Sequence, residues 1–94
     1  MYIVVSHWRP KPGQDAEFVA RSTKMGGQLK SEPGVVFLEE FKSGDKYVAV
    51  HAYQDEATYK KLVDDPNGPF MKLMAESDFE KVGEWLSSER GEAL

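Results

Sequence analysis

Chain-breaking residues divide this sequence into segments with a regular order. Lys11-Pro12-Gly13 ends an apolar extended segment, and Glu32-Pro33-Gly34 ends an amphipathic segment of about four helical turns. Two runs rich in β-branched and aromatic residues then flank Ser43-Gly44-Asp45, and Asp55 is a good N-cap for a second helix. The pattern therefore predicts strand, helix, strand, strand and helix, in that order.

This order predicts a ferredoxin-like α+β fold, β-α-β-β-α-β, once a closing strand is added. The closing element is ambiguous, because residues 70–86 suit either one long helix or a helix followed by a strand over residues 79–87. We favour the strand, since the fold otherwise lacks its closing edge. We expect one domain over residues 1–94, with residues 88–94 as a frayed polar tail.

Composition limits the partners and the chemistry. The chain has 16 acidic and 12 basic residues, and this net charge of −4 opposes nucleic-acid binding. The absence of cysteine excludes disulfides, thiolate metal sites and cysteine nucleophiles. No apolar stretch approaches the roughly 18 residues of a membrane span, and residues 1–5 enter a strand without the basic region of a signal peptide. We therefore expect a soluble, cytoplasmic protein without membrane association.

The first strand, residues 2–9, carries bulky side chains on both faces. The two alternating sets are Ile3, Val5 and His7, and Tyr2, Val4, Ser6 and Trp8. We expect the first set to pack against the helices and the second to remain uncovered, because two helices cover only one face of a small sheet. A large uncovered apolar face is unusual on a monomer, so the pattern predicts a homodimer with an interface above about 1,200 Å².

The first helix begins near Asp15 and carries one apolar stripe. Phe18, Ser22, Met25 and Leu29 recur at helical spacing with Val19 beside them, and this stripe is expected to be buried. Gly26-Gly27 interrupts the helix. The pair is either a tolerated weak point or a place where the helix backbone closely approaches the sheet or a ligand.

These motifs, in this order and spacing, resemble the antibiotic biosynthesis monooxygenase family of the dimeric α/β barrel superfamily. The matching segments are Lys11-Pro12-Gly13, Phe18, Glu32-Pro33-Gly34, residues 47–50, residues 53–57, Pro66 and residues 85–89. The resemblance covers residues 2–89 and implies a four-stranded antiparallel sheet with helices on one face, which dimerises into a shared barrel. Some relatives oxygenate polyketide or quinol-like substrates without metal or flavin, others bind and degrade haem, and others isomerise small lactones.

Several positions depart from that family pattern. Many relatives carry a histidine where Leu62 stands, and haem-degrading relatives carry their iron ligand just after the proline that matches Pro66, where residues 67–76 contain no histidine. The resemblance therefore implies no haem here, and we expect no metal and no cofactor. Tyr53 stands where a tryptophan is frequent, and His7 stands where oxygenases often present an asparagine toward the cavity.

His7 is the predicted catalytic residue. A neutral imidazole accepts a proton near pH 7, and a base in a water-poor aromatic cavity would help a substrate anion to pass an electron to oxygen. The alternative is a strand histidine that is hydrogen-bonded to the backbone. The predicted substrate-binding residues are Trp8, Tyr53, Tyr59, Leu62 and Phe70. Aromatic residues in this set also suit a core or a dimer interface without any ligand.

A second histidine, His51, lies on the third strand. An iron site of His7, His51 and Glu39 is an alternative, but antiparallel pairing of strands 1 and 3 places the two histidines at opposite ends. The sequence therefore predicts a cofactor-independent monooxygenase acting on an aromatic or quinol-like small molecule. Two alternatives remain: a non-catalytic dimeric module that binds a small hydrophobic ligand or only assembles, and a small-molecule isomerase of the same fold.

Overall fold

The computed structural model describes all 94 residues. The strands are β1 (Tyr2–Pro10), β2 (Val35–Ser43), β3 (Lys46–Tyr53) and β4 (Gly83–Glu92), and the helices are α1 (Asp15–Lys30), α2 (Glu56–Tyr59) and α3 (Pro69–Ser77). A π-helical segment, Lys60–Asp64, continues α2, and a short 3₁₀ turn, Phe79–Lys81, precedes β4. The predicted order of elements and the α+β ferredoxin-like fold are confirmed.

The four strands form one antiparallel sheet in the order β2-β3-β1-β4. In the central pair Val4 lies opposite His51 and His7 lies opposite Val48. The expected antiparallel pairing of the first and third strands is therefore correct, and it separates the two histidines along the sheet.

The closing strand exists, but its bounds differ from the prediction. Phe79–Lys81 is a 3₁₀ turn that follows Asp78, whose φ of 54° is left-handed. β4 then runs to Glu92, which pairs with Tyr2. The predicted frayed tail is thus wrong for Ser88–Glu92, because these residues complete the ladder along an edge of β1 that would otherwise be unpaired.

The two faces of β1 are reversed relative to the prediction. Tyr2, Val4 and Ser6 lie beneath the helices and are only 8%, 2% and 9% exposed. Ile3, Val5 and His7 lie on the uncovered face and are half-buried. Alternation determines which side chains share a face, but not which face the helices cover, and both sets are bulky enough for a core.

The helix-side core consists of two apolar clusters. Tyr2, Val4, Tyr53, Tyr59, Leu62 and Val63 form the first, and Phe18, Met25, Phe79 and Val82 form the second. The predicted α1 stripe is confirmed for Phe18, Ser22, Met25 and Leu29, which are all buried, but it is wrong for Val19, which is 39% exposed. These clusters lie at the two ends of the layer between sheet and helices.

The glycine pair in α1 marks a close approach of the helix to β2. A Cβ atom at Gly26 would lie 2.8 Å from Glu40 Oε1 and 3.1 Å from Leu38 Cδ2, whereas one at Gly27 meets nothing within 4 Å. The absence of a side chain at Gly26 therefore allows α1 to pack closely against the sheet. α1 remains helical through both glycines.

α2 begins as predicted at Asp55, whose carboxylate accepts a 2.8 Å hydrogen bond from the Thr58 backbone N–H. The Thr58 hydroxyl also donates to this carboxylate, at 2.6 Å, and this hydrogen bond first, with the backbone one second, holds the pKa of Asp55 below its ordinary value. Pro69 lies in the first turn of α3, also as predicted. None of the helices combines the length and the apolar character needed to cross a bilayer.

The face of the sheet opposite the helices is apolar at its centre. Val5 pairs with Val50, and Ile3 pairs with Ala52, across β1 and β3. On β2, Phe41 of this face is 52% exposed. We call this surface the uncovered face.

Candidate functional site

A cavity of about 290 Å³ lies between the helix-side face of the sheet and the helices. Most of its lining is apolar, and its aromatic residues are Trp8, Phe18, Tyr47, Tyr59, Phe70, Phe79 and Trp85. The rings also pack on one another: Trp8 lies edge-on to Phe79, and Phe18 contacts Tyr47 with 5.0 Å between centroids. The volume is near the lower end for small-molecule sites, about 300–1,000 Å³, and suits a ligand of one or two rings.

One buried chain of polar groups ends at this cavity. Tyr53 Oη lies 2.6 Å from His51 Nδ1, and Ser6 Oγ lies 3.2 Å from His51 Nε2. Ser6 and His51 are on the cavity wall, whereas Tyr53 lies behind them and is fully buried. The three side chains come together because Ser6, on β1, and His51 and Tyr53, on β3, share the helix-side face of neighbouring strands.

The burial of Tyr53 determines the direction of these hydrogen bonds. The only side-chain acceptor within hydrogen-bond distance of its hydroxyl is His51 Nδ1, so the phenol donates there. A neutral imidazole that accepts at Nδ1 carries its proton at Nε2, which then donates to Ser6 Oγ. The Ser6 hydroxyl proton is left free to donate to a molecule in the cavity.

Burial keeps this chain uncharged. It lowers the pKa of His51 to about 4, so the imidazole is neutral at physiological pH. Burial, and then the neighbouring Tyr59, raise the pKa of Tyr53 well above that of an ordinary tyrosine. The chain therefore acts as a hydrogen-bond donor and not as a strong base.

Two charged residues complete the lining of the cavity. They lie on the two outer strands of the sheet, which forms the floor of the cavity. Glu40 on β2 pairs with Ala49, which pairs with Ser6. The Glu40 carboxylate lies against Gly26 of α1, and this burial raises its pKa, an effect that the Ser22 hydroxyl partly offsets. Glu40 is the only carboxylate of the cavity lining, and the residue as a whole is partly exposed to solvent.

Arg90 on β4 stands at the other side. Its Nη1 donates to Tyr59 Oη at 3.0 Å and to Ser88 Oγ at 3.3 Å. The hydrogen bond to Tyr59 raises the pKa of Arg90, so the guanidinium stays cationic. Burial is the main reason that the pKa of Tyr59 is also raised.

The structure brings together only part of the predicted site. Trp8, Tyr59 and Phe70 lie on the cavity wall, whereas Tyr53 is one hydrogen bond behind it. Leu62 belongs to the core cluster around Tyr2 and Val4 and does not reach the cavity.

His7 lies on the uncovered face, where it is paired with Val48 and Ser87. The prediction that it faces the helix-side cavity is therefore wrong, and its role as catalytic base loses its structural support. Its Nδ1 atom is buried without a hydrogen-bond partner. His51 lies on the opposite face of the sheet, so an iron site of His7, His51 and Glu39 cannot form, and the structure contains no cluster of three metal-ligating side chains.

Ser6, Glu40 and Arg90 were not predicted as site residues, and His51 was considered only as an alternative iron ligand. The available signal was that Ser6 and His51 are the polar members of two alternating sets that are otherwise apolar or aromatic and that contain Trp8 and Tyr53. No comparable signal marked Glu40 and Arg90, because their position at the cavity depends on the register of the two outer strands.

The structure is that of a small α+β protein with a largely apolar cavity between its sheet and its helices. Residues 1–66 match the family model described as antibiotic biosynthesis monooxygenase. The match covers most of the chain, and the protein belongs to this family. No protein of curated function matches the sequence.

Several solved structures share the whole fold at low sequence identity. SnoaB from Streptomyces nogalater, described as a cofactor-independent oxygenase, has a TM-score of 0.79 at 16% identity, over 99% of this chain and 92% of that one. Rv0793 from Mycobacterium tuberculosis has a TM-score of 0.78 at 15% identity, over 99% and 94% of the two chains. MupZ from Pseudomonas fluorescens has a TM-score of 0.75 at 13% identity, over 95% and 69%. At these identities the likeness establishes the fold.

Proposed function

We propose that the protein is a cofactor-independent monooxygenase that acts on a small aromatic or quinol-like molecule in the helix-side cavity. The observation that carries the proposal is the Tyr53–His51–Ser6 chain, which presents one hydroxyl donor to an otherwise largely aromatic space. Membership of a monooxygenase family supports it. So does the shared fold of SnoaB, itself described as a cofactor-independent oxygenase.

Binding would depend on the aromatic walls. Trp8, Tyr59 and Phe70 offer ring faces and edges to a planar ligand, and such contacts add to the burial of apolar area. Ser6 then orients the ligand by donating to its oxygen atom. The apolar lining keeps the reacting centre away from bulk water, which strengthens that hydrogen bond.

The proposed reaction needs an electron-rich substrate anion. Glu40 takes the proton from the substrate, and the Ser6 hydroxyl stabilises the negative charge that develops on the substrate oxygen. In the overall reaction a phenol and O₂ give a quinone and water. One oxygen atom bonds to the ring carbon, and the other leaves as water with the hydroxyl hydrogen and one ring hydrogen of the substrate, which supplies all the electrons.

We also propose that the working form is a homodimer joined through the uncovered face. Val5 and Val50 lie at the centre of this apolar surface, and Phe41 is exposed on it. The helix-side cavity would then remain free for a ligand in each subunit.

The test is oxygen consumption with 1-naphthol, whose product would be 1,4-naphthoquinone. We expect oxygen uptake by the protein after chelator treatment, with one ¹⁸O atom from ¹⁸O₂ in each quinone by mass spectrometry. Ser6→Ala and His51→Phe should each lower the rate at least about tenfold, because the first removes the donor to the substrate oxygen and the second removes the imidazole that orients that donor. Wild-type rates in both variants would overturn the proposal. Binding of 1-naphthol without oxygen uptake would overturn it in favour of the non-catalytic ligand-binding alternative.

A further inference from the structure

Arg90 is the only cationic residue on the cavity wall, because His51 is neutral, and we propose that Arg90 anchors a carboxylate of the substrate. The substrate class would then be small aromatic acids that carry a hydroxyl group, rather than neutral phenols. This inference rests on the proposed function, because it assumes that an aromatic ligand occupies the helix-side cavity.

The guanidinium of Arg90 is held in place but is not neutralised. Tyr59 and Ser88 both engage the same nitrogen, Nη1, and no hydrogen bond uses Nε or Nη2. None of the ion pairs in the molecule includes Arg90. Asp64 is near enough to influence its pKa but lies beyond ion-pair distance. The Nε and Nη2 donors therefore remain as a planar fork of the kind that binds a carboxylate through two parallel hydrogen bonds.

The strand register places the hydroxyl donor and the cation near each other on the sheet. Ser6 on β1 lies directly opposite Ser88 on β4, and Arg90 follows Ser88 by two residues on the same face. One strand spacing and two residues along the strand separate Ser6 from Arg90, so their Cα atoms are about 8 Å apart. A hydroxylated aromatic acid of one or two rings can accept a hydrogen bond from Ser6 and offer its carboxylate to Arg90.

The rest of the wall favours the same orientation. The acidic residue of the lining, Glu40, lies on β2, at the opposite side of the floor from Arg90 on β4. A carboxylate at the Glu40 side would face like charge, whereas one at the Arg90 side meets a cation. Arg90 is exposed to solvent, so the anionic group can keep part of its hydration at the cavity mouth.

The test compares two probes that differ only in charge: 6-hydroxy-2-naphthoate and 6-hydroxy-2-naphthamide. Their dissociation constants are measured without oxygen, by tryptophan fluorescence and calorimetry, for the wild type, Arg90→Gln and the control Arg9→Gln. Arg9 is an exposed arginine of β1 that pairs with Asp45 and does not line the cavity. We expect the naphthoate to bind about tenfold to a hundredfold more tightly than the amide, and Arg90→Gln to abolish that preference. Arg9→Gln should retain it.

The possible outcomes distinguish the proposed role of Arg90, as the anchor of a carboxylate, from the existence of the aromatic site. Equal binding of the two probes by the wild type, with both weakened by Ser6→Ala, would overturn the anchor and leave the aromatic site standing. Equal weakening of both probes by Arg90→Gln would show that Arg90 only supports Tyr59, and would also overturn the anchor. Binding of neither probe would overturn the aromatic site and the anchor together.

Discussion

Ser6 and His7 are consecutive in β1, and their side chains lie on opposite faces of the sheet. Ser6 Oγ lies 3.2 Å from His51 Nε2 beneath the helices, whereas His7 Nδ1 is buried without a partner on the uncovered face. A slip of one residue in β1 would exchange the two side chains. The chemistry of the cavity therefore depends on the strand register as much as on residue type.

Stability should fall in mild acid because of His51. Burial lowers its pKa to about 4, against about 6.5 in the unfolded chain. Between these values the unfolded chain binds a proton that the folded chain does not. The stabilisation is therefore complete above about pH 6.5 and is lost as the pH falls toward 4, by an amount on the order of 3 kcal/mol. Urea denaturation at several pH values measures this loss.

The matched variant for this measurement is His51→Gln. Between pH 6.5 and pH 4 the free energy of unfolding of this variant should change less than that of the wild type. The imidazole that titrates is gone, whereas the carboxylates are the same in both proteins. The same dependence of the free energy of unfolding on pH in both proteins would show that His51 does not cause the loss of stability in acid.

Glu40→Gln should lower kcat/KM on 1-naphthol by about 10²–10⁴, because the variant cannot accept a proton. In the wild type kcat/KM should fall as the pH decreases, and the fall should begin at a higher pH than an ordinary glutamate would cause, because burial raises the pKa of Glu40. The control is Glu39→Gln, since Glu39 pairs with Val50 on the uncovered face. Loss of rate in the control but not in Glu40→Gln would refute the role of Glu40.

Two glycines of β4 should respond differently to alanine. A Cβ atom at Gly83 would lie 2.7 Å from Cε2 of the buried Phe18, whereas one at Gly91 meets nothing within 4 Å. Gly83→Ala should cost about 1–3 kcal/mol by overpacking, and Gly91→Ala should be near neutral. Thermal and urea unfolding measure both. Equal stability of the two variants would show that Phe18 has room to move.

The uncovered face should form the dimer interface. Light scattering at micromolar concentration should give twice the chain mass of 10.6 kDa for the wild type. Val50→Lys, which places a charge at the centre of that face, should give a monomer. Val19→Lys, at an exposed position of α1, should remain dimeric. A monomeric wild type would refute the interface.

Much of the fold was predictable because its signals are local. Proline, glycine and the Asp55 cap mark the ends of the elements, and the spacing of Phe18 and Leu29 marks the buried side of α1. The closing strand was predictable from the fold, but its extension through Ser88–Glu92 was not. Those residues are polar, and they are ordered by backbone pairing with β1 rather than by side-chain burial.

The site was less predictable, because it depends on which face the helices cover. Tyr2, Trp8 and His7 gave no local reason to prefer one face. The decisive difference is three-dimensional: Tyr2 and Trp8 contact aromatic residues outside the sheet, Tyr59 and Phe79, whereas Ile3 and Val5 lie half-buried on the uncovered face. Trp8 was predicted as a ligand contact and does lie on the wall, although it had been placed on the uncovered side.

Binding of 1-naphthol to Ser6→Ala and to His7→Asn, measured without oxygen by tryptophan fluorescence, tests which face of the sheet holds the ligand. We propose that the ligand oxygen is held in the helix-side cavity by the Tyr53–His51–Ser6 chain. Ser6→Ala should therefore weaken binding about tenfold, and His7→Asn should leave it unchanged. Weaker binding in His7→Asn, with wild-type affinity in Ser6→Ala, would contradict the account.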